Sequence, residues 1–178
     1  ADPYRLAMDV QGQGIVKETY GGSAQLNVPF GAFELTSITA LRKLKLTERD
    51  DLDGTTLPFQ VYLAGEDGKQ FSQELRLNYT SDTLKVLLGA YYSREDVDRT
   101  ETIDFGPASL LSALVAPAPL RWDFGVNLQA KSYALFGQLQ WEPVEKLSLT
   151  LGGRYSWDEK AVAFDTKTTV PIVISNYS

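Results

Sequence analysis

Residues 132–158, SYALFGQLQWEPVEKLSLTLGGRYSWD, hold two alternating segments joined by a short polar turn. In the second, the odd positions Leu147, Leu149, Leu151, Gly153, Tyr155 and Trp157 are apolar or aromatic except for one glycine. The even positions Ser148, Thr150, Gly152, Arg154 and Ser156 are polar or small. The first repeats the pattern, with Tyr133, Leu135, Gly137, Leu139 and Trp141 on one side and Ala134, Phe136, Gln138 and Gln140 on the other. Successive side chains of a strand point to opposite faces, so each segment is an apolar wall backed by a more hydrophilic one. The length, about ten residues, is that of a tilted strand crossing a bilayer. Leucines occupy the middle and aromatic rings the ends, the distribution expected where amphipathic rings mark two membrane interfaces. The pattern predicts a transmembrane hairpin. Tyr133, Leu135, Leu139, Trp141, Leu147, Leu149, Leu151, Tyr155 and Trp157 would face lipid, and Gln138, Gln140, Thr150 and Arg154 a lumen.

The same reading finds about six alternating segments: residues 21–28, 33–48, 71–79 and 83–93, then the two strands of the hairpin. No β-α-β rhythm intervenes, so the expected fold is an all-β, up-and-down antiparallel meander. Short turns near Pro29, Ser81 and Pro143 alternate with long connections, expected at about 49–70 and 94–131, with another opening after Asp158. Short turns at one end and long loops at the other are the habit of outer-membrane barrels. The long connections would carry Glu48, Asp50, Asp51, Asp53, Glu66, Asp67, Glu95, Asp96, Asp98, Glu101 and Asp104, acids suited to water. Residues 107–115, starting at a proline and stopped by Pro117, predict a helical turn or two.

Composition removes most other chemistry. With no cysteine and no histidine, the 178 residues lack disulfides, thiol nucleophiles, imidazole catalysis and the usual transition-metal ligands. A net charge of −6 disfavours a nucleic-acid partner. No run of about 18 apolar residues predicts a membrane helix; the best stretch, 110–120, is interrupted by Pro117 and Pro119. The opening ADPYRL lacks the basic and apolar regions of a signal peptide. Asp50, Asp51 and Asp53 before Gly54 suggest calcium, but Arg49 and Gln60 stand where an EF-hand needs acids, and a solvated acidic turn fits better. Gly12-Gln13-Gly14 lacks the third glycine and the strand-to-helix setting of a dinucleotide fingerprint. Glu95 and Asp96 have the carboxyl groups of a glycosidase pair, yet adjacent loop acids are too common to specify one. No enzyme activity and no cofactor are expected.

Arg154, flanked by Gly153 and Tyr155, belongs to the polar wall. A slip of one register would bring it to lipid at a cost of roughly 2–4 kcal/mol at the midplane. Glu74 and Arg76 share a strand face, from which they could pair across to neighbouring strands, and read as wall residues rather than a site. Trp122, Trp141 and Trp157 offer stacking platforms for sugars, although interface anchoring explains Trp141 and Trp157 better.

Taken in order, GGSAQLNVPFGAFELTSITALRKLK, DGTTLPF, FSQELRLNYTSDTLKVLLGAYYSREDVDR and SYALFGQLQWEPVEKLSLTLGGRYSWDEK resemble the barrel of TonB-dependent outer-membrane receptors over essentially the whole chain, residues 1–178. The resemblance implies a part of a plugged 22-stranded barrel, with no plug and no energy-coupling box of its own. It implies a place in a Gram-negative outer membrane, a plug domain and TonB complex as partners, and a small-molecule ligand selected by the long loops. The implied activity is energised import of a scarce nutrient: a siderophore or other metal chelate, a cobalamin-like molecule or an oligosaccharide. The alternative is a soluble β-sandwich carbohydrate-binding module, in which the leucine faces would pack between two sheets.

Overall fold

The structure, a computed structural model, describes residues 12–115 and 120–168. Six strands follow one another: β1 Gly14–Phe30, β2 Phe33–Asp51, β3 Gln60–Thr80, β4 Leu84–Phe105, β5 Leu120–Val144 and β6 Leu147–Thr168. One short helix, α1 Leu110–Val115, stands between β4 and β5. The strands form one sheet in the order β1-β2-β3-β4-β5-β6, and every neighbouring pair is antiparallel. This is the expected meander. Among the described residues there is no second sheet, so the sandwich alternative has nothing to pack against.

The strands are longer than the sequence pattern predicted. They run 17 to 25 residues, about twice what a tilted bilayer-spanning strand needs. β3 begins at Gln60, not 71, and β4 continues to Phe105, past 93; β5 starts at Leu120 and β6 reaches Thr168. The expected loops 49–70 and 94–131 therefore shrink to 52–59 and 106–119, and the chain after Asp158 continues as strand to Thr168, the end of the described residues. Glu66, Asp67, Glu95, Asp96, Asp98, Glu101 and Asp104 lie on strands, as do Glu48, Asp50 and Asp51; of the acids assigned to loops only Asp53 is in one. The physical reason is that the backbone ladder does not stop where the apolar alternation stops. Water can replace lipid beside a strand without disturbing its hydrogen bonds.

Among the described residues nothing resembles a globular core. The buried apolar residues among those described are Ala64, Leu120 and Ala134, while Leu88, Leu135, Leu151 and Tyr155 are more than half exposed. Burial alternates instead along the strands. In β2, Lys43, Lys45, Thr47 and Arg49 are exposed and Leu44, Leu46, Glu48 and Asp50 are half-buried. With no layer on top, such asymmetry arises when a twisted sheet curls toward the covered face. The edge strands β1 and β6 do not pair with each other, so the described sheet is open.

At one end the strands meet in short turns: Gly31-Ala32, Ser81 to Thr83, and Glu145-Lys146. The turns are stitched to the adjacent ladder, since Thr80 N donates to Ala32 O at 3.0 Å and Glu142 N to Thr83 O at 2.8 Å. A register shift between Trp141 and Val144 accompanies the last turn, and Lys146 takes the left-handed conformation at φ 70°.

At the other end Asp53 organises the loop 52–59. Its Oδ1 accepts from Thr55 N at 3.0 Å and Thr55 Oγ1 at 2.6 Å, and its Oδ2 from Gln60 N at 2.9 Å. The Thr55 hydroxyl, ahead of the backbone donors, holds this carboxyl below its usual range. The loop touches the start of the next connection, where Gly106 N donates to Phe59 O at 3.0 Å. A Cβ on Gly106 would stand 2.0 Å from the Pro58 carbonyl oxygen, a backbone atom that cannot swing aside. α1 fills part of the expected helical segment 107–115; Pro117 and Pro119, which were to stop it, lie outside the described residues. Ser112 ties the helix down, its hydroxyl donating to Phe105 O at 2.8 Å.

Two substitutions test these junctions by urea unfolding of the detergent-solubilised protein. Gly106→Ala should destabilise it by about 1–3 kcal/mol, because the two connections must separate. Lys146→Gly should add about 0.5–1 kcal/mol, the relief of left-handed strain less the entropy that glycine gives the unfolded chain. A neutral Gly106→Ala would mean that the loops do not meet as described.

Candidate functional site: a two-faced wall

Antiparallel register partners share a face, so the pairing lists which side chains stand together. On one face, from the short turns inward, stand Phe30, Phe33, Tyr79, Val86, Leu139 and Leu151, then Val28, Leu35, Leu77, Leu88, Gly137 and Gly153. The next levels are Leu26, Ser37, Leu75, Ala90, Leu135 and Tyr155, then Ala24, Thr39, Gln73, Tyr92, Tyr133 and Trp157. Trp141 and Leu149 pair at the short-turn end. Every residue predicted to face lipid thus falls on one face, with Leu147 in phase with Leu149 beside the turn.

Aromatic rings bound this apolar band on both sides. Near the turns Phe30 stacks on Phe33 at 5.7 Å, and Phe33 meets Tyr79 at 5.0 Å. About eight residues along, Phe71, Tyr92, Tyr133 and Trp157 form a chain of ring contacts at 6.2, 5.2 and 5.4 Å across four strands. Three polar residues that breach the band satisfy one another. Thr39 Oγ1 donates to Gln73 Oε1 at 2.5 Å, and Gln73 Nε2 donates to Ser37 Oγ at 2.9 Å. Polar groups next to hydrocarbon must find such partners. Alternation along one strand cannot reveal this trio, since partners on adjacent strands are invisible without the register.

The opposite face carries Gln138, Gln140, Thr150 and Arg154, with Asn78, Glu34, Thr36 and Arg76 at the same levels and Glu74 and Ser156 one level further along. Gln140 and Thr150 are register partners, and Gln140 Nε2 donates to Glu142 Oε1 at 2.8 Å. Arg76 is ion-paired with Glu74 on its own strand, rather than across to a neighbouring strand as expected. Arg154 stands over the rings of Phe136 and Tyr91 at 5.6 and 5.7 Å, and its Nε donates to Ser156 Oγ at 3.0 Å. Cation–π contact is favourable at such distances. Phe136 can lie flat there because its register partner is Gly89, where a Cβ would come within 2.1 Å of the ring. Neither ring was marked by alternation, because an aromatic residue on a polar face reads as noise until its cation is in place.

Beyond the second aromatic row the two faces exchange character. The face that was apolar now bears Arg94, Lys131 and Glu159, then Lys43, Lys69 and Asp96, then Glu18, Lys45, Asp67 and Asp98. The face that was polar gains Leu44, Val97, Leu128 and Val162, then Leu46, Val126 and Phe164, then Phe124 and Trp122, whose rings pack at 4.6 Å. Among these apolar residues Arg99 anchors a polar knot. It holds Glu101 at 2.6 Å through Nε, Glu66 at 3.0 Å through Nη1 and the Tyr62 hydroxyl at 3.3 Å through Nη2. The Glu101 hydrogen bond, followed by those of Glu66 and Tyr62, raises the Arg99 pKa further and keeps the guanidinium charged. Glu48, on the same face, is pushed up by burial and by Asp50. No group of His, Cys, Asp and Glu side chains suited to a metal ion occurs among the described residues.

Residues 16–177 match the family described as TonB dependent receptor-like, beta-barrel. Among solved structures, the ferric yersiniabactin uptake receptor FyuA from Yersinia pestis superposes with a TM-score of 0.68 over 88% of this chain, at 14% identity. The chain spans 22% of that receptor's length. At that identity the likeness concerns the fold, and the match to the family carries the relationship. Its members are receptors and transporters of the outer membrane and not enzymes. With the family matched over nearly its whole length and its strands laid out as one continuous barrel wall, the chain belongs to the TonB-dependent receptor β-barrel family.

Proposed function

We propose that residues 1–178 form about a quarter of the wall of a TonB-energised importer in a Gram-negative outer membrane. The observation that carries this reading is the apolar band, about ten residues tall, ringed by aromatic side chains on one face of a sheet without a second layer. In this reading Tyr133, Leu135, Leu139, Trp141, Leu147, Leu149, Leu151, Tyr155 and Trp157 meet lipid. Gln138, Gln140, Thr150 and Arg154 line the lumen, where they hydrate the transport path or contact the plug. The wall breaks no bond. It holds the pathway in the membrane, while a plug domain and the TonB complex gate and energise it.

The long-turn ends stand on the side where ligand arrives. Selectivity would reside in the loops 52–59 and 106–119 and in the inner face of the strand extensions that carry them. The extensions replace the longer loops expected from sequence. The transported molecule is a scarce nutrient of the siderophore or metal-chelate, cobalamin or oligosaccharide class. The ferric-chelate receptor that shares this fold favours the first, as a likeness of fold only.

Facing is tested by arginine substitution of neighbouring residues on β5 in the intact receptor, followed by unfolding in lipid. Leu135→Arg, near the centre of the band, should cost about 2–4 kcal/mol, and Gln138→Arg less than about 1 kcal/mol. Equal costs would reject the assignment of faces. Function is tested by expressing the intact receptor in a host lacking its own importers and supplying ⁵⁵Fe-labelled ferric yersiniabactin, labelled cobalamin or labelled maltodextrin. Accumulation of one of them should require TonB; uptake of none, or uptake unchanged without TonB, would sink the importer reading.

A further inference from the structure

Immediately beyond the aromatic row Phe71, Tyr92, Tyr133 and Trp157, the outward wall sets like charges against each other twice. Arg94 on β4 is the register partner of Lys131 on β5, and one level further Lys43 on β2 is the partner of Lys69 on β3. Directly opposed side chains in an antiparallel pair have Cβ atoms only about 4.5–5.5 Å apart, and like charges there are destabilising. A sheet with free choice at exposed positions would not place two such pairs in adjacent levels. A local conflict of this kind points to a requirement beyond folding.

The neighbouring acids leave the conflict unresolved. Asp96 accepts from Arg94 at 2.8 and 2.9 Å and from Gln129 at 2.9 Å, and it is the register partner of Lys69. Glu159 is the partner of Lys131 on β6. Two carboxylates thus stand against four cations, and Lys43, Lys69 and Lys131 form no ion pair among the described residues. The basic level is narrow. The next one out, Glu18, Lys45, Asp67 and Asp98, has one cation and three acids. On its other side lies the apolar band. An anion attracted by the four cations is therefore confined to one depth, repelled by carboxylates above and by hydrocarbon below. Long lysine and arginine stems can lie along the aromatic row while their heads reach that level.

We propose that Lys43, Lys69, Arg94 and Lys131 bind the phosphate groups of lipid headgroups in the leaflet that adjoins the long-loop end of the barrel. A phosphate set between paired cations turns their mutual repulsion into shared attraction, and the headgroup level is where a bilayer offers phosphate. The inference rests on the membrane placement proposed above. It gives the outer wall a lipid preference, separate from whatever the lumen carries.

The intact receptor in maltoside micelles tests it. Wild type, Lys69→Gln/Lys131→Gln and Lys69→Arg/Lys131→Arg are each mixed with bisphosphorylated lipid A, with phosphatidylcholine or with inorganic phosphate. Retained lipid is counted by native mass spectrometry and the thermal midpoint recorded. Wild type and the arginine variant should retain lipid A and melt higher with it. The glutamine variant should retain at least tenfold less, yet melt no lower than wild type in micelles alone, since the repulsion is relieved. Equal lipid A retention by wild type and the glutamine variant would overturn the proposal. So would phosphatidylcholine held as well as lipid A, or inorganic phosphate giving the same rise in midpoint. Incorporation of wild type into phosphatidylcholine vesicles reports on membrane placement separately: failure there removes the placement itself, whereas incorporation without lipid A selectivity removes only this inference.

Discussion

The interaction on which everything else depends is the uninterrupted backbone ladder. Each strand gives its peptide groups to its neighbours residue by residue, and apart from the shift at Trp141 and Val144 the register runs without irregularity. In hydrocarbon an unpaired peptide group costs several kcal/mol, so a strand that crosses a bilayer has no freedom to end partway. The same rule makes β1 and β6, open on their outer sides here, the edges at which a complete barrel must continue. Because the ladder supplies order, the side chains are released from building a core. That is why so few of them are buried and why large apolar residues lie open on the outer wall.

On this fixed frame the apolar alternation changes phase partway along β4 and β5. In β5 the odd positions Tyr133, Leu135, Leu139 and Trp141 are apolar near the turns, whereas further out the even positions Leu120, Trp122, Phe124, Val126 and Leu128 are apolar. In β4 the apolar phase likewise passes from Val86, Leu88 and Tyr92 to Val97 and Ile103. The backbone does not shift at the crossing; in the membrane placement proposed above, only the outside medium does. Beside lipid the outer face must be apolar and the inner face can be wet, while above the membrane the outer face meets water. The curled inner face then half-buries Leu44, Leu46 and the Arg99 knot.

This inversion explains what sequence reading missed. A break in alternation normally marks the end of a strand, so the charged stretches beginning at Arg49 and Arg94 read as loops. Outside 52–59 and 106–119, they are continuations of the same strands. The four cations of the outer wall were hidden for a related reason. Lys43, Lys69, Arg94 and Lys131 are scattered over 89 positions of sequence and become two opposed pairs only when the register is known. Phe136 was likewise legible only as an exception until Gly89 and Arg154 were found beside it.

The sequence by itself determined an all-β meander and the two alternating faces of each strand near the short turns. Period-two alternation over about ten residues, bounded by aromatic rings and turn residues, has few physical solutions once no second layer is available. It also put Gln138 with Gln140, and Thr150 with Arg154, because residues two or four apart on a strand share a side whatever the partner strand does; that the two pairs stand on one face follows from the register. The tertiary structure alone decided how far the strands extend, which side chains meet across them and where the outer wall turns from greasy to charged. Those are properties of register, and register is set jointly by turns and neighbouring strands, so no single segment contains it.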